Sequence, residues 1–263
     1  MRRVVFNQKG GVGKSSITCN LAAIAATRGK RVLVVDLDPQ ANSTHYLLGT
    51  TPDQLETSIA SYFEDSLKLR KNRNEAIEYS YETVFENLFV IPSSPALSDL
   101  QTKLESKHKI YKLRDLLDSL ADDFDEFYID TAPALNFYTQ SALICADRCL
   151  IPFDCDAFSR QALYSLLEVL EEVREDHNSK LRIDGIVANL FQPRANLPSQ
   201  IIEELKAEKH PILPVQLSAS VKMRESHSEC KPLIHYAPSH PLTQQFVELY
   251  ELLEKSRGRR GKA

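Results

Sequence analysis

The sequence predicts a single α/β domain with a mostly parallel, twisted sheet and helices on both faces. Short apolar runs recur at residues 3–6, 31–35, 88–91, 127–129, 148–151 and 183–189, and most are separated by segments with helical periodicity. Continuous apolar strands alternating with helices are the pattern of a parallel sheet covered on both faces. Directly after the first run comes a glycine-rich loop, Lys9-Gly10-Gly11-Val12-Gly13-Lys14-Ser15-Ser16, and directly after the loop a helical pattern. Two further runs lead into carboxylates, Asp36 and Asp130, at the strand ends where ligands bind in such sheets. Strand, glycine loop and helix in that order make this a P-loop NTPase domain.

Each part of the loop has a physical task. Glycines let backbone N–H groups curl around phosphate oxygens, so Gly10, Gly11, Val12 and Gly13 are read as the cradle. Lys14 reaches the outer phosphates, Ser15 offers its hydroxyl to Mg²⁺, and Ser16 completes the binding set. Three of the eight glycines in the chain fall within four positions here, which an incidental turn does not explain. Lys9 is surplus, since a P-loop needs no lysine at that point.

Helices are expected at 15–27, 98–105, 110–120, 136–145, 159–176, 198–208 and 241–254. The last carries an apolar stripe, Leu242, Phe246, Leu249 and Leu253. The domain is placed at 1–254. Residues 51–86 are read as a variable insertion between the second and third strands, with the charged run 68–73 as a solvated face. Residues 255–263 are read as a basic, disordered tail.

With 263 residues the chain fits one large α/β domain. No apolar stretch reaches the roughly 18 residues of a membrane-spanning helix, and Met1-Arg2-Arg3 leads straight into the first strand, so a cytoplasmic protein is expected. Five cysteines, Cys19, Cys145, Cys149, Cys155 and Cys230, form no C-x-x-C pair, which points away from a disulfide framework and a thiolate zinc site. A net charge of −4 argues against coating DNA by bulk electrostatics but leaves room for a local basic patch.

The second strand runs into Asp36-Leu37-Asp38-Pro39-Gln40. A carboxylate there can orient the water that attacks a γ-phosphate while its neighbour holds the metal's water shell. Taken alone, Asp-Pro would equally suit a turn. The run at 127–129 ends in Asp130, the arrangement in which a carboxylate holds Mg²⁺ opposite the P-loop. Asn189 closes the run at 183–189, where an amide can offer adenine both a donor and an acceptor, or can cap the strand end.

The loop form K-G-G-x-G-K-[ST] resembles that of the ParA/MinD/ArsA/nitrogenase-iron-protein family. Asp36-Leu37-Asp38-Pro39-Gln40 matches the D-x-D-P-Q element of ParA proteins, and Asp130-Thr131-Ala132-Pro133 resembles their D-T-P-P, with Ala132 replacing the first proline. Residues 193–197 resemble the ParA stretch D-x-R-T-N-L, and 220–227 resemble S-V-R-L-S-E-A-x-S. Ser218 stands where the family usually has proline, and the chain resembles the short type without a helix-turn-helix extension.

This resemblance implies an ATPase using ATP and Mg²⁺. It makes Lys9 a residue that crosses a homodimer interface to the other subunit's nucleotide, Asp38 the water-positioning residue, and Asp36 a support near Mg²⁺. It also gives Arg194, Lys222 and the neighbouring Arg224 as contacts to non-specific double-stranded DNA, although a surface salt bridge is the commoner fate of any one such cation. A nucleoid-associated protein working with a ParB-like or other cargo adaptor follows. The alternatives are a MinD-like ATPase, in which an amphipathic helix such as 241–254 lies on lipid, and a metabolic enzyme of the same fold. No membrane association is expected. A cobyrinate-amidating enzyme is expected to need a glutaminase domain for which the chain has no room.

Overall fold

Alternation along buried strands sends side chains into two separate cores, one on each face of a central sheet. The computed structural model describes residues 1–68, 75–155, 159–192 and 196–259. Its strands are β1 (Arg2–Val5), β2 (Val32–Asp36), β3 (Tyr81–Glu82), β4 (Leu88–Ile91), β5 (Glu126–Asp130), β6 (Arg148–Asp154), β7 (Arg182–Phe191) and β8 (Ile212–Ser218). They form one sheet in the order β3-β4-β2-β5-β1-β6-β7-β8, parallel throughout except for β3 against β4.

Val4, Leu33, Val35 and Ile129 point to one face. There they meet α3 (Ile59–Leu67), α4 (Leu97–Ser106), α5 (Lys112–Ser119), α6 (Phe137–Cys145), α7 (Ser159–Asp176) and α8 (Asn196–Ala207). Val5, Val32, Val34 and Tyr128 point to the other, against α1 (Lys14–Thr27), α2 (Asn42–Leu48), α10 (Leu233–Tyr236) and α11 (Pro241–Arg259). A ninth helix in chain order, α9 (Val221–Ser228), sits beside the mouth of the P-loop. Period-two alternation with apolar residues on both faces is what a doubly covered sheet requires.

The seven expected helices and six expected strands are present with shifts of a few residues at their ends. Differences lie elsewhere. β8 is an additional edge strand; Pro214 breaks its apolar run, and an edge tolerates the missing N–H. Within the span 51–86, Ile59 and Phe63 of α3 and Tyr79 are fully buried in the core. Of the charged run at 68–73, only Lys68 lies within the described residues; it is exposed and pairs with Asp65. The last helix continues to Arg259, five residues past its expected end, so the start of the expected tail is helical.

One buried charge cluster pins the amino-terminal edge of the sheet. Where β6 meets β7 the register slips, with Cys149 opposite Ile183 and Leu150 opposite Gly185, so Asp184 is the extra residue of a bulge. Gly185 carries the bend at φ 150°, and a Cβ there would come within 2.5 Å of Leu213. The bulge turns Asp184 toward two cations. Its carboxylate accepts from Arg3 Nε at 2.8 Å and Arg148 Nη1 at 3.2 Å, and the Arg3 and Asp184 side chains are each 1% exposed. Removing one member of such a pair leaves an uncompensated buried charge, at a cost of about 3–5 kcal/mol. Asp184→Asn is therefore expected to lower unfolding free energy by about that amount, measured by urea titration; a loss below about 1 kcal/mol would show the cluster to be solvated.

Candidate nucleotide-binding site

The loop from β1 to α1 takes its shape from two glycines in left-handed conformations, Gly11 (φ 76°) and Gly13 (φ 87°). Gly13 is also the N-cap of α1, and a Cβ on it would sit 2.2 Å from Asn189 Nδ2. Close approach is needed because Asn189, reaching across from the end of β7, donates through Nδ2 to the Val12 carbonyl at 2.8 Å. Its amide donor thus serves the loop, a role apart from the two that the sequence leaves open for Asn189. The same residue borders a hollow of about 130 Å³ behind Gly13, shared with Ser218, Ser220 and Phe246. Val12 is 1% exposed, so it offers the site only its backbone.

The loop opens onto a cleft of about 370 Å³. Gly10, Gly11, Gly13, Lys14, Ser15 and Ser16 form one wall. Also lining the cleft are Asp38 and Gln40 from the segment between β2 and α2, Asn42 at the start of α2, Pro133 and His227. Backbone N–H groups at the start of a helix, a lysine and two hydroxyls converge here, which is a phosphate site. Burial lowers the pKa of Lys14, while Asp130 and Asp38 oppose the shift; its Nζ donates to the Lys9 carbonyl at 2.9 Å.

Lys9 itself is held outward. Its backbone N–H donates to Asn7 Oδ1 at 2.9 Å, and Asn7 Nδ2 donates to the Pro152 carbonyl of β6 at 2.7 Å. At the end of the same strand, Asp154 accepts from Lys9 Nζ at 3.2 Å. Both side chains of this pair remain about one-third exposed, so the contact is water-accessible and weak, worth about 1 kcal/mol or less.

The three carboxylates have different surroundings. Asp36 and Asp130 are register partners on adjacent strands and both are fully buried. Burial raises both pKa values, with their mutual repulsion adding to the rise at Asp36. Hydrogen bonds offset the cost. Asp36 Oδ2 accepts from the Thr44 N–H and hydroxyl, each at 2.8 Å, and Oδ1 accepts from the Asp38 N–H at 3.1 Å. Asp130 accepts from Ser43 Oγ at 2.7 Å and from the Thr131 N–H at 3.0 Å, and the Ser15 hydroxyl favours its ionised form. Asp36 thus holds the first turn of α2 and the segment that begins at Asp38, and neither it nor Asp130 lines the cleft directly. Asp38 lines the cleft, its Oδ1 accepting from the Gln40 N–H and its carbonyl from Ser93 Oγ at 2.6 Å.

Ser15 and Asp130, beside the phosphate cradle, are hard oxygen donors of the kind Mg²⁺ uses with substrate phosphates. Among the described residues no group of three His, Cys, Asp or Glu side chains could hold a metal by itself.

The expected DNA contacts are only partly visible. Arg194 lies outside the described residues. On α9, Lys222 donates to Glu225 Oε2 at 2.6 Å and lies 5.7 Å from the centre of the Tyr236 ring, while Arg224 is exposed. Sequence reasoning does not reach Ser43, Thr44, Asp154 or His227. For the first two a signal exists: Asn42-Ser43-Thr44 followed five residues later by Gly49 is a short helix with its glycine stop.

A family model described as an AAA domain matches residues 3–183. The chromosome partitioning protein ParA of Myxococcus xanthus is 34% identical over 88% of this chain and 80% of its own. The sporulation initiation inhibitor protein Soj of Bacillus subtilis is 31% identical over 93% and 94%. Among solved structures, cobyrinic acid a,c-diamide synthase from Mycobacterium smegmatis with bound ATP analogue and magnesium is 25% identical, with a TM-score of 0.76 over 90% of this chain and 96% of that one. Chain length alone therefore does not separate partition ATPases from that enzyme. Identity and coverage together do: the chain belongs to the ParA proteins of the ParA/MinD superfamily of P-loop ATPases.

Proposed function

We propose that this protein is an ATP-dependent partitioning ATPase whose ATP-bound homodimer holds non-specific double-stranded DNA and is released by hydrolysis that a ParB-like or other cargo adaptor stimulates. One observation carries this reading. Lys9 belongs to the phosphate loop yet points away from its cleft, onto Asp154 at the rim, in a weak contact that a second subunit's phosphates can outcompete.

In the proposed cycle ATP enters the cleft, with the loop N–H groups and Lys14 on its β- and γ-phosphates. Ser15 and Asp130 would hold Mg²⁺, which neutralises phosphate charge when bound. Asp38, which lines the cleft, accepts a hydrogen bond from the attacking water and fixes its line of approach. Asn189 supports the loop and borders the hollow suited to the base. Lys9 leaves Asp154 for the partner's nucleotide, so ATP favours the dimer by differential binding. Lys222, Arg224 and Arg194 of both subunits then face DNA phosphates, giving sequence-independent, salt-sensitive binding.

A membrane-bound role is less well supported. The apolar stripe of α11, Leu242, Phe246, Leu249 and Leu253, is 0–3% exposed and packs against the sheet, so that face is not free for lipid. No described helix is long and apolar enough to cross a membrane. The relatives named for chromosome partitioning and sporulation support the DNA reading over the metabolic one.

Two experiments test this function. Binding to random-sequence duplex DNA and to anionic liposomes is measured with ATP, ADP or no nucleotide. DNA binding with ATP alone, weakened by salt, is expected, and Lys9→Ala should abolish it while leaving nucleotide affinity within about threefold; liposome binding in place of DNA, or undiminished DNA binding by the variant, contradicts the proposal. In a phosphate-release assay Asp38→Ala is expected to lose at least about 100-fold in turnover while still binding ATP. Wild-type turnover would remove Asp38 from the mechanism.

A further inference from the structure

α9 reaches the phosphate cleft through one side chain. His227, on its last turn, places Nε2 3.0 Å from Ser16 Oγ in the first turn of α1. It is the one α9 residue among the described residues that lines the cleft. Its ring stacks on Tyr46 of α2, with centroids 4.2 Å apart and planes 28° from parallel. Tyr46 is itself fixed: its hydroxyl bonds Ser226 Oγ at 2.7 Å and accepts from Asn20 Nδ2 at 3.3 Å. Asn20 Nδ2 also donates to the Ser16 carbonyl, and Asn20 Oδ1 accepts from the Leu233 N–H. The imidazole is held from α1, α2 and α9 at once. In the stretch resembling S-V-R-L-S-E-A-x-S it occupies the position left unspecified.

A neutral imidazole has one N–H, and its location decides what Ser16 can do. Burial lowers the His227 pKa and so favours the neutral ring. With the proton on Nε2, the ring donates to Ser16 Oγ, and the Ser16 hydroxyl proton is free to turn into the cleft. With the proton on Nδ1, Ser16 must donate to the ring and its lone pairs face the cleft. Phosphate oxygens are acceptors only, so a Ser16 hydroxyl that bonds a phosphate oxygen requires the first arrangement.

We propose that His227 is a positioning residue for the nucleotide: through Nε2–H it aims the Ser16 hydroxyl at a phosphate oxygen, and it thereby ties α9, the helix bearing Lys222 and Arg224, to occupancy of the cleft. The proposal rests on the reading of the cleft as the ATP site and names a residue outside the P-loop on which phosphate binding depends. One hydrogen bond to a charged group is at stake, so the effect on affinity is about tenfold.

The test is calorimetric titration with Mg·ADP of the full chain, unsubstituted and with His227→Phe, His227→Gln, Ser16→Ala and Ser16→Ala combined with His227→Phe. Phenylalanine keeps the stack on Tyr46 without the N–H; glutamine restores a donor. The expected results are about tenfold weaker binding for His227→Phe, recovery of most of it in His227→Gln, and no further loss when His227→Phe is added to Ser16→Ala. Wild-type affinity in His227→Phe overturns the proposal. So does an undiminished tenfold loss in the Ser16→Ala background, since the ring would then act by another route. If His227→Phe unfolds, the glutamine variant decides alone: near wild-type affinity supports the donor role and a tenfold loss overturns it. Absence of Mg·ADP binding by the unsubstituted protein overturns the nucleotide reading itself and the inference with it.

Discussion

Two carboxylates buried side by side at the ends of adjacent strands constrain everything around the cleft. Asp36 and Asp130 share a register position on β2 and β5, with no solvent contact. Leaving such groups ionised without partners costs several kcal/mol each, so the surrounding chain must supply donors. The donors come from the first turn of α2, Ser43 and Thr44, from the Asp38 N–H, and from Ser15 at the start of α1. One requirement of electrostatics thus positions the phosphate loop, the segment carrying Asp38 and the helix that follows. Even Cys19 joins in, its thiol donating to Ser43 Oγ at 3.2 Å, so a second turn of α1 is tied to the same point.

That arrangement connects the site to the rest of the molecule without long-range machinery. Tyr46, three residues after Ser43, carries the stack with His227 and bonds Ser226, which links α2 to α9. Asn7 and Asp154 tie the other side of the loop to β6, Asn7 through the Lys9 backbone and Asp154 through its ammonium. By contrast, the charge cluster of Arg3, Arg148 and Asp184 lies toward the amino-terminal ends of β1, β6 and β7, away from the cleft.

Features written in consecutive residues are legible in the chain itself. The loop at 9–16, the pair Asp36 and Asp38, and Asp130 ending its strand each combine a local pattern with a local chemical meaning, and the fold brings them to one end of the sheet. What is not legible depends on distance or on weak local signals. Asp154 and His227 join the site across 145 and 211 positions of sequence separation, to Lys9 and Ser16 respectively, and neither sits in a pattern that announces it. The bulge at Asp184 is a property of two strands together. Pro214 hides β8, although on an edge the missing N–H matters little. Basic, glycine-containing composition hides the helical start of the tail, although cations such as Lys255 are favoured at a helix C-terminus by its dipole.

The central mechanistic claim is that ATP brings two copies of this chain together through Lys9. Sedimentation velocity of the unsubstituted protein with Mg·ATP and with Mg·ADP, at matched concentration and ionic strength, tests it most directly. A mass of two chains with ATP and one with ADP is expected. One chain under both conditions would contradict the cross-subunit role of Lys9, leaving its contact with Asp154 as an ordinary surface ion pair.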